Sequence, residues 1–190
     1  MARPLRPLAL LAAVVLAAAA CSDPNDLPRA TIANALTTDT LWTLSTGPLT
    51  KPSAYSVENG GAVRTWEVGS SFEFAYDVTA GGASVLLPLR TLGLGSTTSL
   101  LPGLLRSTAT FDAMKKAPLN GYVTKDTVAV AVGDRFFLRT GINSCSLYGV
   151  PLYAKLEVLA IDTAARTMAV QVVANKNCGY RFLTVDTTSS

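Results

Sequence analysis

The sequence predicts an all-β fold: one mostly antiparallel, sandwich-like domain with a single short helix. Two observations carry that expectation. Apolar and polar residues alternate with period 2 over Ser71–Val78, Leu152–Ile161 and Thr167–Ala174, the pattern of strands with one buried face. Turn signals separate the candidate strands: Asn59–Gly60–Gly61, Gly81–Gly82, Gly133–Asp134 and the polar Asp162–Arg166. The chain has 190 residues, 49% hydrophobic and 15% charged, enough for one domain with a core.

Ala30–Leu44 is rich in threonine and carries Leu36, Leu41, Trp42 and Leu44, which reads as a first strand, broken by Gly47–Pro48 and Lys51–Pro52. Ser53–Val57 and Ala62–Val68 flank the Asn59–Gly60–Gly61 turn as the arms of a hairpin. Ser71–Val78 sets Phe72, Phe74, Tyr76 and Val78 on one face and Glu73 and Asp77 on the other, where charges are expected to be solvated. Ser84–Leu87 is a short apolar strand. Leu89–Leu105 mixes six leucines after Arg90 with four glycines or prolines and keeps no period, so it reads as a long loop. Either its leucines fold over the core, or Leu94, Leu100, Leu101 and Leu104 form an exposed surface for a small apolar ligand or a protein partner.

Thr110–Lys116 is the expected short helix. Thr110 is its N-cap, Asp112 suits the positive end, and Lys115 and Lys116 suit the negative end. Thr127–Val132 and Arg135–Thr140 read as strands. The strongest pattern follows. Leu152, Ala154, Leu156, Val158 and Ala160 point one way, with Lys155 and Glu157 opposite. Met168, Val170, Val172 and Ala174 share a face, with Gln171 opposite. A turn centred on Asp162–Arg166 sets Val158 against Val170 and Leu156 against Val172, which puts both apolar faces on one side. A last strand runs towards Val185, and the tail Asp186–Ser190 reads as frayed.

The N-terminus is a secretory signal: Arg3 and Arg6, an apolar Leu8–Leu16, then small residues Ala17–Ala20 before Cys21. The run LAAAAC is similar to the bacterial lipobox, which implies that residues 1–20 are removed and that Cys21 becomes the acylated N-terminus. An ordinary cleaved signal is the alternative. Ser22, where an Asp resembles an inner-membrane retention signal, favours the outer membrane of a host with two. The organisation is then residues 1–20 as signal peptide, 21–29 as tether and 30–190 as one β domain. Removing the leader takes Arg3 and Arg6 from 16 basic residues and none from 13 acidic ones, so the formal charge falls from +3 to +1. No basic stripe remains to bind nucleic acid.

Cys145 and Cys178, 33 positions apart on either side of the hairpin, are the two remaining cysteines. In an exported domain they favour a disulfide over a metal pair or a reactive thiol. The chain has no histidine, which removes Ser-His-Asp and Cys-His machinery and the commonest metal ligand. No nucleotide-binding, zinc-protease, EF-hand or nucleophile-elbow motif is present. No catalytic residue, metal site or enzymatic activity is expected. A carboxylate pair drawn from Glu58, Glu67, Glu73 and Glu157 is the remaining formal option. The tyrosines and the two tryptophans read as core before they read as a ligand site.

Four phrases in order, YSVENGGAV (55–63), FEFAYD (72–77), TFDAMKKAPLNGYVTKD (110–126) and FFLRT…YAKLEVLAID (136–162), resemble the HmuY-like lipoproteins, exported haem-binding β proteins. The resemblance covers most of the chain after Cys21 and implies an antiparallel β fold, a lipid anchor and haem as the usual ligand. This chain lacks the ligand-bearing insertion before the FFLRT segment. With no histidine, only Met114 and Met168 remain as haem ligands after processing, so no cofactor is expected. The reading is therefore a lipid-anchored envelope protein, a non-catalytic binding or interaction module. The alternative is a structural subunit of an envelope complex, and haem binding comes last.

Overall fold

The computed structural model describes residues 27, 29–95, 100–145 and 147–185, and among them ten strands form two antiparallel sheets. The strands are β1 (Ala35–Trp42), β2 (Ala54–Ser56), β3 (Gly61–Val63), β4 (Phe74–Val78), β5 (Ser84–Pro88), β6 (Gly103–Ser107), β7 (Val128–Ala129), β8 (Arg135–Arg139), β9 (Tyr153–Asp162) and β10 (Thr167–Asn175). The first sheet has the order β1-β10-β9-β8-β6 and the second β3-β2-β4-β5-β7. Their inner faces share one core. Leu41, Phe136, Leu138, Leu156, Val170 and Val172 from the first sheet meet Tyr55, Phe74, Tyr76 and Leu86 from the second. This is the expected all-β, antiparallel architecture.

The β9–β10 hairpin has the expected register, with Val158 opposite Val170 and Leu156 opposite Val172. All four side chains are buried. Asp162 Oδ1 accepts the Ala164 and Ala165 N–H groups, and Arg166 takes a left-handed φ of +56°, which closes the loop. A bulge leaves Leu159 without an opposite residue, because Val170 pairs with Val158 and Ala169 with Ala160. The alternation therefore inverts past Val158: Ala160, expected on the core face, is exposed, and Ile161 packs against the core instead.

Other expectations change in extent. The second arm of the early hairpin stops at Val63 and gives way to a single helical turn, α1 (Thr65–Val68). Residues 127–132 contribute only the two-residue β7. The end of the chain makes an isolated bridge, Lys116 with Phe182, rather than a strand. That bridge also explains why Thr110–Lys116 is not a helix. Met114 is drawn into a buried cluster with Ala117, Phe137, Tyr153 and Leu183. Lys115 O accepts the Leu183 N–H and Ala117 N–H donates to Arg181 O, so these backbone groups are satisfied by the returning chain.

Leu89–Leu105 is only partly a loop. Leu89–Leu92 forms a 3₁₀ turn, and Gly103–Ser107 is β6, paired with β8. Gly103 is required there, since a Cβ would lie 2.7 Å from Val123 O, whose strand-like neighbour crosses at this point. Cys145 and Cys178 are disulfide-bonded, with Cα atoms 5.8 Å apart. Closing a loop of 33 residues stabilises the fold by roughly 3–4 kcal/mol in the chain-entropy description.

Candidate functional site

Apart from the bonded Cys145 and Cys178, the residues marked out by sequence do not converge. Cys21 lies outside the described residues. Leu104 is inside the shared core, which takes it out of any ligand surface. Leu101 is half-buried and gives its carbonyl to Arg139 Nη2 at 3.2 Å. Leu94 and Leu100 are 40% and 38% exposed. None of the four lines either of the depressions described next.

The first depression is a groove of about 580 Å³ on the outer face of the first sheet. Its floor follows from strand register. Arg135 on β8 is opposite Glu157 on β9, and Glu157 is opposite Gln171 on β10. All three alternate away from the core, so their side chains form a ladder across three strands. Arg135 Nε donates to Glu157 Oε1 at 2.7 Å, and Gln171 Nε2 donates to Glu157 Oε2 at 2.5 Å. Two residues along β9, Lys155 donates through Nζ to Phe111 O at 2.8 Å and lies 4.4 Å from the centre of the Phe111 ring. Burial holds the Lys155 ammonium below the ordinary lysine range, and the nearby Asp112 carboxylate partly opposes that. The loop carrying Thr110–Asp112 walls one side, and Leu36, Thr184 and Val185 wall another.

The groove is polar and charge-balanced, with Arg135 and Lys155 against Asp112 and Glu157. Both Glu157 oxygens already accept hydrogen bonds, so this carboxylate is held as an acceptor and not as a free base. Chemically the arrangement offers fixed donors and acceptors, two threonine hydroxyls and an apolar rim. Its parts were visible in the sequence as the polar faces of the hairpin. Their assembly required the β8–β9 pairing and the position of the 110–112 turn.

Besides Lys155, two further charged groups lie where charge is costly. Glu73, expected in solvent, is buried, and desolvation raises its pKa to about 8. The nearby Glu58 carboxylate acts in the same direction, and the Val57 N–H donating to Oε2 at 2.7 Å opposes both. On the outer face of the second sheet, Phe72 and Leu89 pack in one cluster with Ala54 and Ala75. Phe72 therefore belongs to the outer cluster and not to the face of Phe74 and Tyr76. Arg139 is also buried. It donates to Leu119 O and Leu101 O, stacks 4.6 Å from the Tyr122 ring centre, and its Nε has no partner among the described residues. Desolvation lowers its pKa and raises those of Tyr122 and Tyr153. It pins the 100–102 and 118–122 segments to β8.

The smaller depression, about 30 Å³, lies beside Trp66, whose Nε1 donates to Leu49 O. The two methionines considered for haem sit in separate buried clusters, Met168 in the shared core and Met114 in the cluster on the outer face of the first sheet. Among the described residues no group of histidine, cysteine, aspartate or glutamate could hold a metal ion, and no helix is long and apolar enough to cross a membrane. Compared with known family models, characterised proteins and solved structures, the chain matches none.

Proposed function

We propose that the protein is a non-catalytic binding module held in the cell envelope by acylated Cys21, and that the Arg135–Glu157–Gln171 groove is its recognition surface. The groove carries this reading: its volume is in the range of small-ligand sites, and its hydrogen-bonding groups are held rigid by one another. Equal numbers of cationic and anionic side chains favour a polar partner of little net charge. That moves the reading away from the apolar ligand expected from the leucine-rich loop. The two methionines weighed as haem ligands lie in different clusters and so form no ligand pair.

Native mass spectrometry of the processed domain, purified from its own host, tests the proposal. A bound species kept by the wild type and lost from Thr110→Trp, which fills the groove wall, supports it. A species kept equally by both removes the groove from consideration. A bare mass in both cases favours the second reading, a structural subunit of an envelope complex. The exposed Leu49 and Trp66 support that second reading, because an exposed tryptophan beside apolar surface is a common anchor of protein interfaces.

A further inference from the structure

We infer that the disulfide-bonded end of the sandwich, through Leu147 and Tyr148, seats in the headgroup layer of the bilayer that holds the anchor. The inference rests on acylation of Cys21. Only six residue steps separate Cys21 from Leu27, so a fully extended tether spans about 20 Å. Leu27 itself is fixed at this end of the molecule. It fills the space that a Gly179 side chain would take: a Cβ there would lie 2.6 Å from Leu27 Cδ1 and 3.3 Å from Val150 Cγ2. Beyond it, the Thr31 and Ile32 N–H groups donate to Asn177 Oδ1 at 2.8 and 3.0 Å, and Asn177 Nδ2 returns a bond to Ile32 O at 2.8 Å. The chain therefore leaves the body beside Cys178, and the anchor keeps that corner close to the membrane.

What the corner presents is apolar. Leu147 is 86% exposed and Tyr148 45% exposed. Their turn is held in place, with Cys145 O accepting the Tyr148 and Gly149 N–H groups at 3.0 Å and Cys145 bonded to Cys178. Residues 141–152 and 175–181 include no aspartate or glutamate, and Lys176 and Arg181 are their only charged residues. Tyrosine at headgroup depth with a leucine beside it matches the interfacial preferences of these side chains. Two side chains are too few to hold a soluble protein on lipid. With the anchor supplying a high effective concentration, they orient a domain that is already there.

Both native tryptophans are away from this corner, Trp42 at the far end of β1 and Trp66 beside Leu49, and they serve as the internal control. The acylated protein and its Tyr148→Trp variant are placed in phosphatidylcholine–phosphatidylglycerol vesicles, with and without lipids brominated near the headgroup. The added Tyr148→Trp emission is expected to be quenched about twofold while wild-type emission is unchanged, as for an indole at interfacial depth. Adding Leu147→Asp should abolish the quenching without releasing the protein. If the acylated variant binds vesicles but is not quenched, the inference is overturned, the anchor survives, and Leu147 is left for a protein partner. If Cys21 of the protein from its host carries no acyl mass and the protein does not sediment with vesicles, the anchor reading fails and takes the inference with it.

Discussion

The outer faces of the two sheets solve the same problem in opposite ways. The first sheet has long ladders: β9 and β10 pair over nine positions and β1 and β10 over eight. Its outer face keeps an open, charged groove. The second sheet is built from strands of two to five residues. Its outer face is sealed by Phe72, Leu89, Ala54 and Ala75, with Leu44, Val63, Val68 and Leu92 packed around them. Short strands supply few ladder hydrogen bonds, so the second sheet depends on apolar burial on both faces. The first sheet has the longer ladders, and the part of its outer face that Met114, Ala117 and Leu183 do not cover stays open as the groove.

The largest effect is expected at the seal. Phe72→Ala should destabilise the domain by about 3–5 kcal/mol in urea unfolding, as for a fully buried aromatic. A loss below about 1 kcal/mol would mean that the outer cluster is not what supports the second sheet.

Glu73 gives the next effect. Its folded pKa is raised, so between its ordinary value of 4.5 and about 8 the native state holds a proton that the unfolded chain has lost. Its contribution is fully present below pH 4.5 and is lost as pH rises through about 8. In that window stability should fall by up to about 1.4 kcal/mol per pH unit. Glu73→Gln should flatten the slope, and an unchanged slope in the variant would show that this carboxyl is not the titrating group.

On the open face the costs should be smaller. Arg135→Ala is expected to cost about 1 kcal/mol, since the pair is partly solvated and Gln171 still serves Glu157. Gln171→Ala should cost roughly 0.5–1 kcal/mol. On the proposed reading, both should weaken binding at the groove far more than the fold. Stability losses here equal to that of Phe72→Ala would erase the contrast between the two faces.

The hairpin was legible because its alternation, its polar turn and its β-branched residues all agree on one register. The bulge at Leu159 was not, because Leu159, Ala160 and Ile161 are all apolar and give no sign of which one is skipped. Glu73 was misjudged, and the burial of Lys155 not foreseen, for a shared reason. Strand periodicity assigns a face but does not say what packs on it, and chain from elsewhere meets both: the segment of Val57 and Glu58 at one, the Phe111 turn at the other. β6 was hidden by Pro102 and Gly103, which read as loop. Gly103 marks a crossing too close for any side chain. The groove was half visible. Lys155, Glu157 and Gln171 were known to share the polar side of the hairpin, but Arg135 and residues 110–112 join them only through long-range pairing.

The Asn177 clasp on Thr31 and Ile32 has a mechanical consequence. β1 is an edge strand, and tension applied at its free end would peel it from β10 one bond at a time. Fastening the chain ahead of β1, beside the disulfide, diverts that tension into a cross-linked corner. Load on the chain ahead of β1 is then borne by the knot and not by the seam.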